Sequence, residues 1–499
     1  MPLKHILTPQ ERRARVFSIA AFLLLMFFVS QHVNIYLWNT LHSRVFVAAF
    51  PVLAACFLFF YGRSLRLEAK LLLAFWLWFF LSRVMNGREV FIREFEIIVD
   101  YGVFFFLGSI GLILSAEQRQ RALKWVGGFA CGYYTLLSVI GIVCSLLRLT
   151  VVNPITQKNI CEMGVQGFAR LGLLDVNPNV TSTWFFASIA TLIYFFLRCR
   201  KKWWRVPIVI AAILNYFAFT LTYCRNMKVG FSLCAAMLAM LLAMKYLPVK
   251  KPGQKAAVVI LAAVIFVPLT YKSFVVPEYI LSKTSELVRA EQTEPTEQAD
   301  PAGLSAPPGG KIAPVPVAAA LPEGTIPRED SLVEGADILN NEFSDPRDFS
   351  KGLFTLSDRT QIFESAIITL KQEPIRLLRG CPSSMIMSVA MPILELHNVH
   401  FHNCLLQTLI YTGFVGFALA LAYCVLLVIR MVRFFFSEDK GAELPEKLLT
   451  LPLSALLLYN MLEPLLFNYT DFSVLYFFFL AGIFLGYSYE LHPPKQGAK

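Results

Sequence analysis

Three histidines crowd the start of the stretch His397 to Gly416, HNVHFHNCLLQTLIYTGFVG. The stretch closes a long polar segment and runs without a break into an apolar span. Imidazole titrates near neutral pH, so a neutral histidine at a membrane surface can take a proton from a hydroxyl. Metal ligation is the competing use. On an extended chain His400 and His402 would share a face, and on a helix His397 and His400 would. Only Glu395 stands nearby, with no HExxH pair or carboxylate cluster, so proton transfer is the better reading.

Three arginines extend this set. Arg225 lies in TYCRNMKVG at the end of an apolar span, Arg170 lies in ARLGLLDVNPNVTS before another, and Arg359 opens SDRTQIFESAIITLKQEP. A guanidinium offers parallel N–H donors that match phosphate oxygens. Charges close to hydrocarbon are costly and mark function by default, although an interfacial arginine can also snorkel. Arg359 stands near a helix start, where the macrodipole disfavours a cation. Arginines that grip a pyrophosphate, beside a histidine that activates a hydroxyl, suggest transfer from a lipid pyrophosphate-linked donor to a hydroxyl acceptor.

The elements that must position these residues are membrane helices. The 499 residues are 56% hydrophobic and 16% charged, with 44 Phe. Soluble domains carry roughly 25% charged residues. The apolar runs are long and uniform, which excludes alternating barrel strands and predicts an all-α polytopic membrane protein. About twelve segments approach the required length of roughly 20 residues. They fall near 16–36, 44–61, 69–86, 97–115, 122–147, 181–197, 206–223, 229–247, 256–272, 404–429, 447–466 and 471–489. The first is read as an uncleaved span, because no small-residue cleavage site follows it.

The net charge of +11 is distributed as short basic clusters between apolar runs, which encodes topology and does not suggest nucleic acid. Arg12 and Arg13, Arg63 and Arg66, Arg119 and Arg121, Arg198 to Arg205, Lys245 to Lys251, and Arg430 to Lys447 fall on alternate connections. That pattern puts both termini in the cytoplasm. It divides the chain into membrane helices 1–9 over residues 1–272, an outer loop over 273–403, and helices 10–12 over 404–499. Within the loop, 284–350 is rich in Pro, Glu, Ala and Gly and reads as a disordered spacer. Residues 354–403 read as ordered, with an amphipathic helix from about Ser357 to Pro374. A second outer segment covers 148–180, where Asn177-Pro178-Asn179 predicts a helix start capped by Asn179 or Thr181. Cys161 and Cys381 could both face the outer side, where pairing is an option.

The spacing His402-Asn403, Leu406-Gln407, Gly413 and Gly416 resembles the HN–LQ–GxxG element of the bacterial O-antigen ligase and polymerase superfamily. His397-Asn398 lacks those offsets. SDRTQIFESAIITLKQEPIRLLRG resembles that family's outer arginine helix, YCRNMKVG its span opening on Ser-Arg, and RLGLLDVNPNVTS its Asn-Pro-Asn segment. Glu463 in NMLEPLLFN resembles a carboxylate of its penultimate span. The chain departs from the pattern with Cys224 in place of the Ser, Cys381-Pro382 in place of a second turn glycine, and a long insertion.

The resemblance implies a metal-independent, cofactor-free inverting glycosyltransferase on the outer face of a bacterial cytoplasmic membrane. The donor would be glycan on undecaprenyl pyrophosphate, and the acceptor a lipid A core sugar or another glycan chain. His402 would activate the acceptor hydroxyl, and Arg225 and Arg359 would bind the leaving pyrophosphate. Arg170, Asn179, Asn403, Gln407 and Glu463 would contact substrate. Gly413 and Gly416 would let the tenth span pack closely on a neighbour. A polysaccharide flippase is the alternative; it would carry repeated halves and broken midplane helices, and no repeat is evident.

Overall fold

The computed structural model describes residues 58, 65–147, 150–152, 159–163, 171–173, 178–222, 224–246, 252–273, 374–382, 403–437, 444–462, 466–467 and 472–491, in a few cases by backbone alone. The two predicted spans before residue 65, the 284–350 insertion and the predicted 357–374 helix lie essentially outside these residues.

The described elements are α1 Leu67–Met85, α2 Arg88–Arg93, α3 Phe95–Ile110, α4 Ala116–Leu147, β1 Val151–Val152, β2 Asn159–Met163, β3 Leu171–Leu173, α5 Pro178–Arg198, α6 Lys202–Leu221, α7 Arg225–Tyr246, α8 Pro252–Ser273, α9 Ile375–Arg379, α10 Cys404–Phe435, α11 Leu444–Lys447, α12 Thr450–Leu462 and α13 Phe472–Leu491. Each predicted span from residue 69 onward coincides with a helix. Among the described residues, six helices are long and apolar enough to cross a membrane: α4, α6, α10 and the greater parts of α5, α7 and α13. The chain is therefore a mostly helical, multi-pass membrane protein.

α13 is the hub. It is apolar all round, and Phe477, Phe478, Ala481, Ile483, Phe484 and Leu485 are fully buried, as expected of a helix enclosed by others. It packs on α3 through glycines. A Cβ on Gly482 would lie 2.2 Å from the Leu107 carbonyl oxygen, and one on Gly486 would lie 2.1 Å from that of Gly111. α1 packs against α3 and α10, α12 against α7 and α10, and α5 against α4 and α6.

α1 carries three charges, Glu68, Lys70 and Arg83, within 19 residues. Two of them are buried, and both are matched across helices. Glu68 accepts from Arg430 and from the Tyr489 hydroxyl at 2.6 Å. Arg83 Nε meets Glu94 Oε2 at 2.5 Å. Fifteen residues separate them, about 22 Å along a helix. The Glu68 end also gathers Arg66 over Tyr489, Arg119 with Glu490, and Arg198 with Glu446 at 2.7 Å. These arginines are among those predicted to share one side.

The segment 148–180, predicted to face outward, contains an element not expected from sequence. β1, β2 and β3 form an antiparallel sheet, with Cys161 opposite Leu173 and Met163 opposite Leu171. Strands of two to five residues are too short to reveal a period-two pattern. Leu171 seats the sheet over Gly141 of α4.

Candidate functional site

The apolar run after Asn403 becomes α10 because Asn403 caps it. Its backbone is extended (φ −153°, ψ 120°), and its Oδ1 accepts the Leu406 N–H at 3.0 Å. Gln407 follows one turn later on the same face and is buried. Its N–H reaches the Asn403 carbonyl at 2.9 Å. Beside them the Cys404 thiol donates to the Leu466 carbonyl at 2.9 Å, and the Tyr101 hydroxyl donates to the carbonyl of Phe467. The turn that follows α12 is thereby stitched to the start of α10. Phe467 holds φ at 63° there, a conformation non-glycine residues seldom adopt.

Two turns further on, α10 breaks. Gly413 has φ 70° and ψ −179°, a region essentially confined to glycine. The helical ladder is interrupted, and the carbonyls before the break take donors from elsewhere. Cys381 N–H donates to the Ile410 oxygen at 2.7 Å, Arg83 Nη2 to the Tyr411 oxygen at 3.0 Å, and Trp78 Nε1 to the Thr412 oxygen at 2.8 Å. The Arg83 guanidinium also lies 4.3 Å from the Phe79 ring centre and 4.5 Å from that of Tyr411. Gly413 was expected to let the span pack closely on a neighbour, and the backbone of Leu378 and Gly380 does come against it. It also ends one helical segment, which the sequence did not indicate. Gly416 does sit closely, with Thr412 and Trp78 over its Cα.

Of the other candidates, Asn179 is the second residue of α5, and its carbonyl accepts the Ser182 hydroxyl at 2.5 Å. The helix begins at Pro178, whose fixed φ and missing N–H suit a first position, so neither Asn179 nor Thr181 is the cap. Arg225 is the first residue of α7; its side chain lies outside the described residues. His402, Arg359, Arg170 and Glu463 lie outside them too. Asn403 and Gln407 are brought together, and the Leu466–Phe467 turn brings the chain just after Glu463 alongside. Cys161 and Cys381 are both buried thiols.

Two features were missed in sequence. Lys228 is buried in the first turn of α7, so the helix that opens on Arg225 has two cationic residues in sequence at its N-terminus, against its dipole. Arg83 was passed over, although a charge inside a predicted span is itself the signal.

A groove of about 530 Å³ starts at this site. Cys404, Leu405 and Thr408 line one end, Val425, Ile429 and Leu457 its length, and Phe435 and Thr450 the other end. Met237 and Met240 of α7 contribute a wall, as do Leu466 and Phe467. The lining is almost wholly apolar, suited to hydrocarbon. No protein-family model and no curated protein matches this chain.

Proposed function

We propose that the protein is a membrane glycosyltransferase of the O-antigen ligase or polysaccharide polymerase type, with about twelve spans and both termini in the cytoplasm. It acts on the outer face of a bacterial cytoplasmic membrane, where it moves a glycan from undecaprenyl pyrophosphate to a sugar hydroxyl. His402 takes the hydroxyl proton as the acceptor oxygen attacks the anomeric carbon. The new glycosidic bond forms as the bond to the phosphate oxygen breaks, and undecaprenyl pyrophosphate leaves. Arg225 and Arg359 offset the charge that develops on it. Asn403, Gln407, Arg170, Asn179 and Glu463 hold the reacting groups. Neither metal nor nucleotide is required.

The observation that carries this reading is the groove. An apolar channel along α10 that opens beside the Asn403 cap suits a polyprenyl chain whose head group reaches the HN–LQ segment. The two cations opening α7, which also walls the groove, suit an anionic head. Deletion of the gene tests the function in the cell. Single-repeat surface glycans after deletion identify a polymerase, and long chains retained on the lipid carrier identify a ligase. Unchanged surface glycan argues against both. Lipid-linked repeats trapped on the cytoplasmic side would favour a flippase.

A further inference from the structure

We propose that Arg83 is a positioning residue that fixes the first segment of α10, with the Asn403 cap and Gln407, against the turn after α9. The proposal rests on the functional reading above for what that geometry serves.

An unbroken α10 would satisfy the carbonyls of Ile410, Tyr411 and Thr412 internally. The break at Gly413 hands them to three outside donors, and two of these, Trp78 and Arg83, come from α1. The third, Cys381, comes from the turn after α9. α1 holds that turn as well, since the Ser82 hydroxyl donates to the carbonyl of Arg379. The donors of α1 therefore grip two things at once. One is the nine-residue helical segment from Cys404 to Thr412, which follows His402 and contains Gln407. The other is the Arg379–Cys381 turn after α9.

Arg83 is the centre of this grip. Its Nε is ion-paired with Glu94, its Nη1 lies 3.2 Å from Ser82 Oγ, and its Nη2 donates to the Tyr411 carbonyl. It is fully buried. A buried ion pair is a poor device for stability, because well-packed apolar residues do as well or better. What an apolar pair cannot supply is a planar donor fixed by a carboxylate and aimed at a freed carbonyl. Lysine, with one nitrogen, can meet Glu94 or Tyr411 but lacks the fork that meets both.

The test uses Arg83→Lys, with Trp78→Phe as a second variant that removes one donor and leaves the ion pair. Two readouts are taken on full-length protein in detergent: hydrogen–deuterium exchange, and steady-state glycan transfer from a lipid-linked donor. In both variants exchange rises in peptides spanning 378–382 and 403–416 and stays unchanged in α13. For Arg83→Lys kcat falls roughly ten- to hundred-fold while the donor KM moves by less than about twofold, as expected when orientation and not binding is lost. Unchanged exchange, an unchanged kcat, or a rate loss that merely follows exchange raised across the whole bundle in both variants would overturn the proposal. If exchange rises locally but the wild-type protein transfers no glycan, the grip itself stands and the functional reading fails.

Discussion

A Cβ placed on Gly413 would lie 2.9 Å from the backbone nitrogen of Gly380 and 2.2 Å from the carbonyl oxygen of Leu378. The relation is reciprocal, since a Cβ on Gly380 would lie 2.4 Å from the Tyr411 oxygen. Both residues have positive φ, 70° and 77°, with ψ near 180°. Two backbones from segments more than thirty residues apart meet without side chains between them, and only glycine fits either position.

Gly413→Ala therefore adds about 1–3 kcal/mol of backbone strain, with a backbone overlap on top that cannot relax by rotamer change. Gly416→Ala meets Thr412 and Trp78 side chains and costs less. Gly128→Ala and Gly132→Ala, in open space on α4, gain up to about 1 kcal/mol from helix propensity. Thermal unfolding of the four variants in one detergent gives the order, and a Gly413→Ala protein as stable as wild type would contradict it.

The α3–α13 crossing gives a second stability prediction. Gly482→Ala drives a methyl into the Leu107 carbonyl and must separate two helices that carry much of the core. Overpacking of this kind costs about 1–3 kcal/mol. The melting temperature should fall, and a Gly482→Leu protein should fail to accumulate in membranes. Full accumulation of the leucine variant would show that the crossing is not tight.

Charge pairs should separate by burial. Glu68 is 1% exposed, and its partner Arg430 has a side chain 24% exposed. Removing one member of a fully buried pair costs about 3–5 kcal/mol, and the partial exposure of Arg430 brings Glu68→Gln to about 2–3 kcal/mol. Glu117, which pairs with Arg121 on the surface of α4, should change stability by no more than about 0.5 kcal/mol when replaced by Gln. Equal losses at the two sites, measured by denaturation in the same micelles, would contradict this ranking.

Asn403 has a structural duty and a proposed chemical one, and substitutions can part them. Asn403→Ala loses the cap, about 1 kcal/mol. Asn403→Asp keeps an oxygen for the Leu406 N–H and should retain the wild-type melting temperature. If the amide also contacts substrate, the aspartate variant loses transfer activity all the same. Full activity in Asn403→Asp would restrict the residue to capping.

The helices were legible from residue 69 onward because hydropathy is a property of contiguous residues, and lipid leaves the backbone no alternative to a helix. The start of α10 was legible for the same reason, with Asn403 at its entrance. The break at Gly413 was not. A glycine in an apolar run reads equally as a packing site, and the difference depends on Leu378 and Gly380 arriving from a distant segment. Arg83 was obscured in a similar way, since its meaning lies in Tyr411, 328 residues away. The small sheet was hidden by the shortness of its strands. Asn403 and Gln407 entered as site residues through the resemblance of the HN–LQ element, and the structure sets them one turn apart at the start of α10; His402, Arg359, Arg170 and Glu463 lie outside the described residues.

Glycan transfer is measured on purified full-length protein in detergent, given a lipid-linked oligosaccharide and a glycan acceptor, with product followed by mass spectrometry. Wild-type protein should form a new glycosidic bond and release undecaprenyl pyrophosphate without added metal or nucleotide. His402→Ala, at equal abundance and with an unchanged melting temperature, should form no product. Transfer by His402→Ala at the wild-type rate would contradict the role proposed for His402.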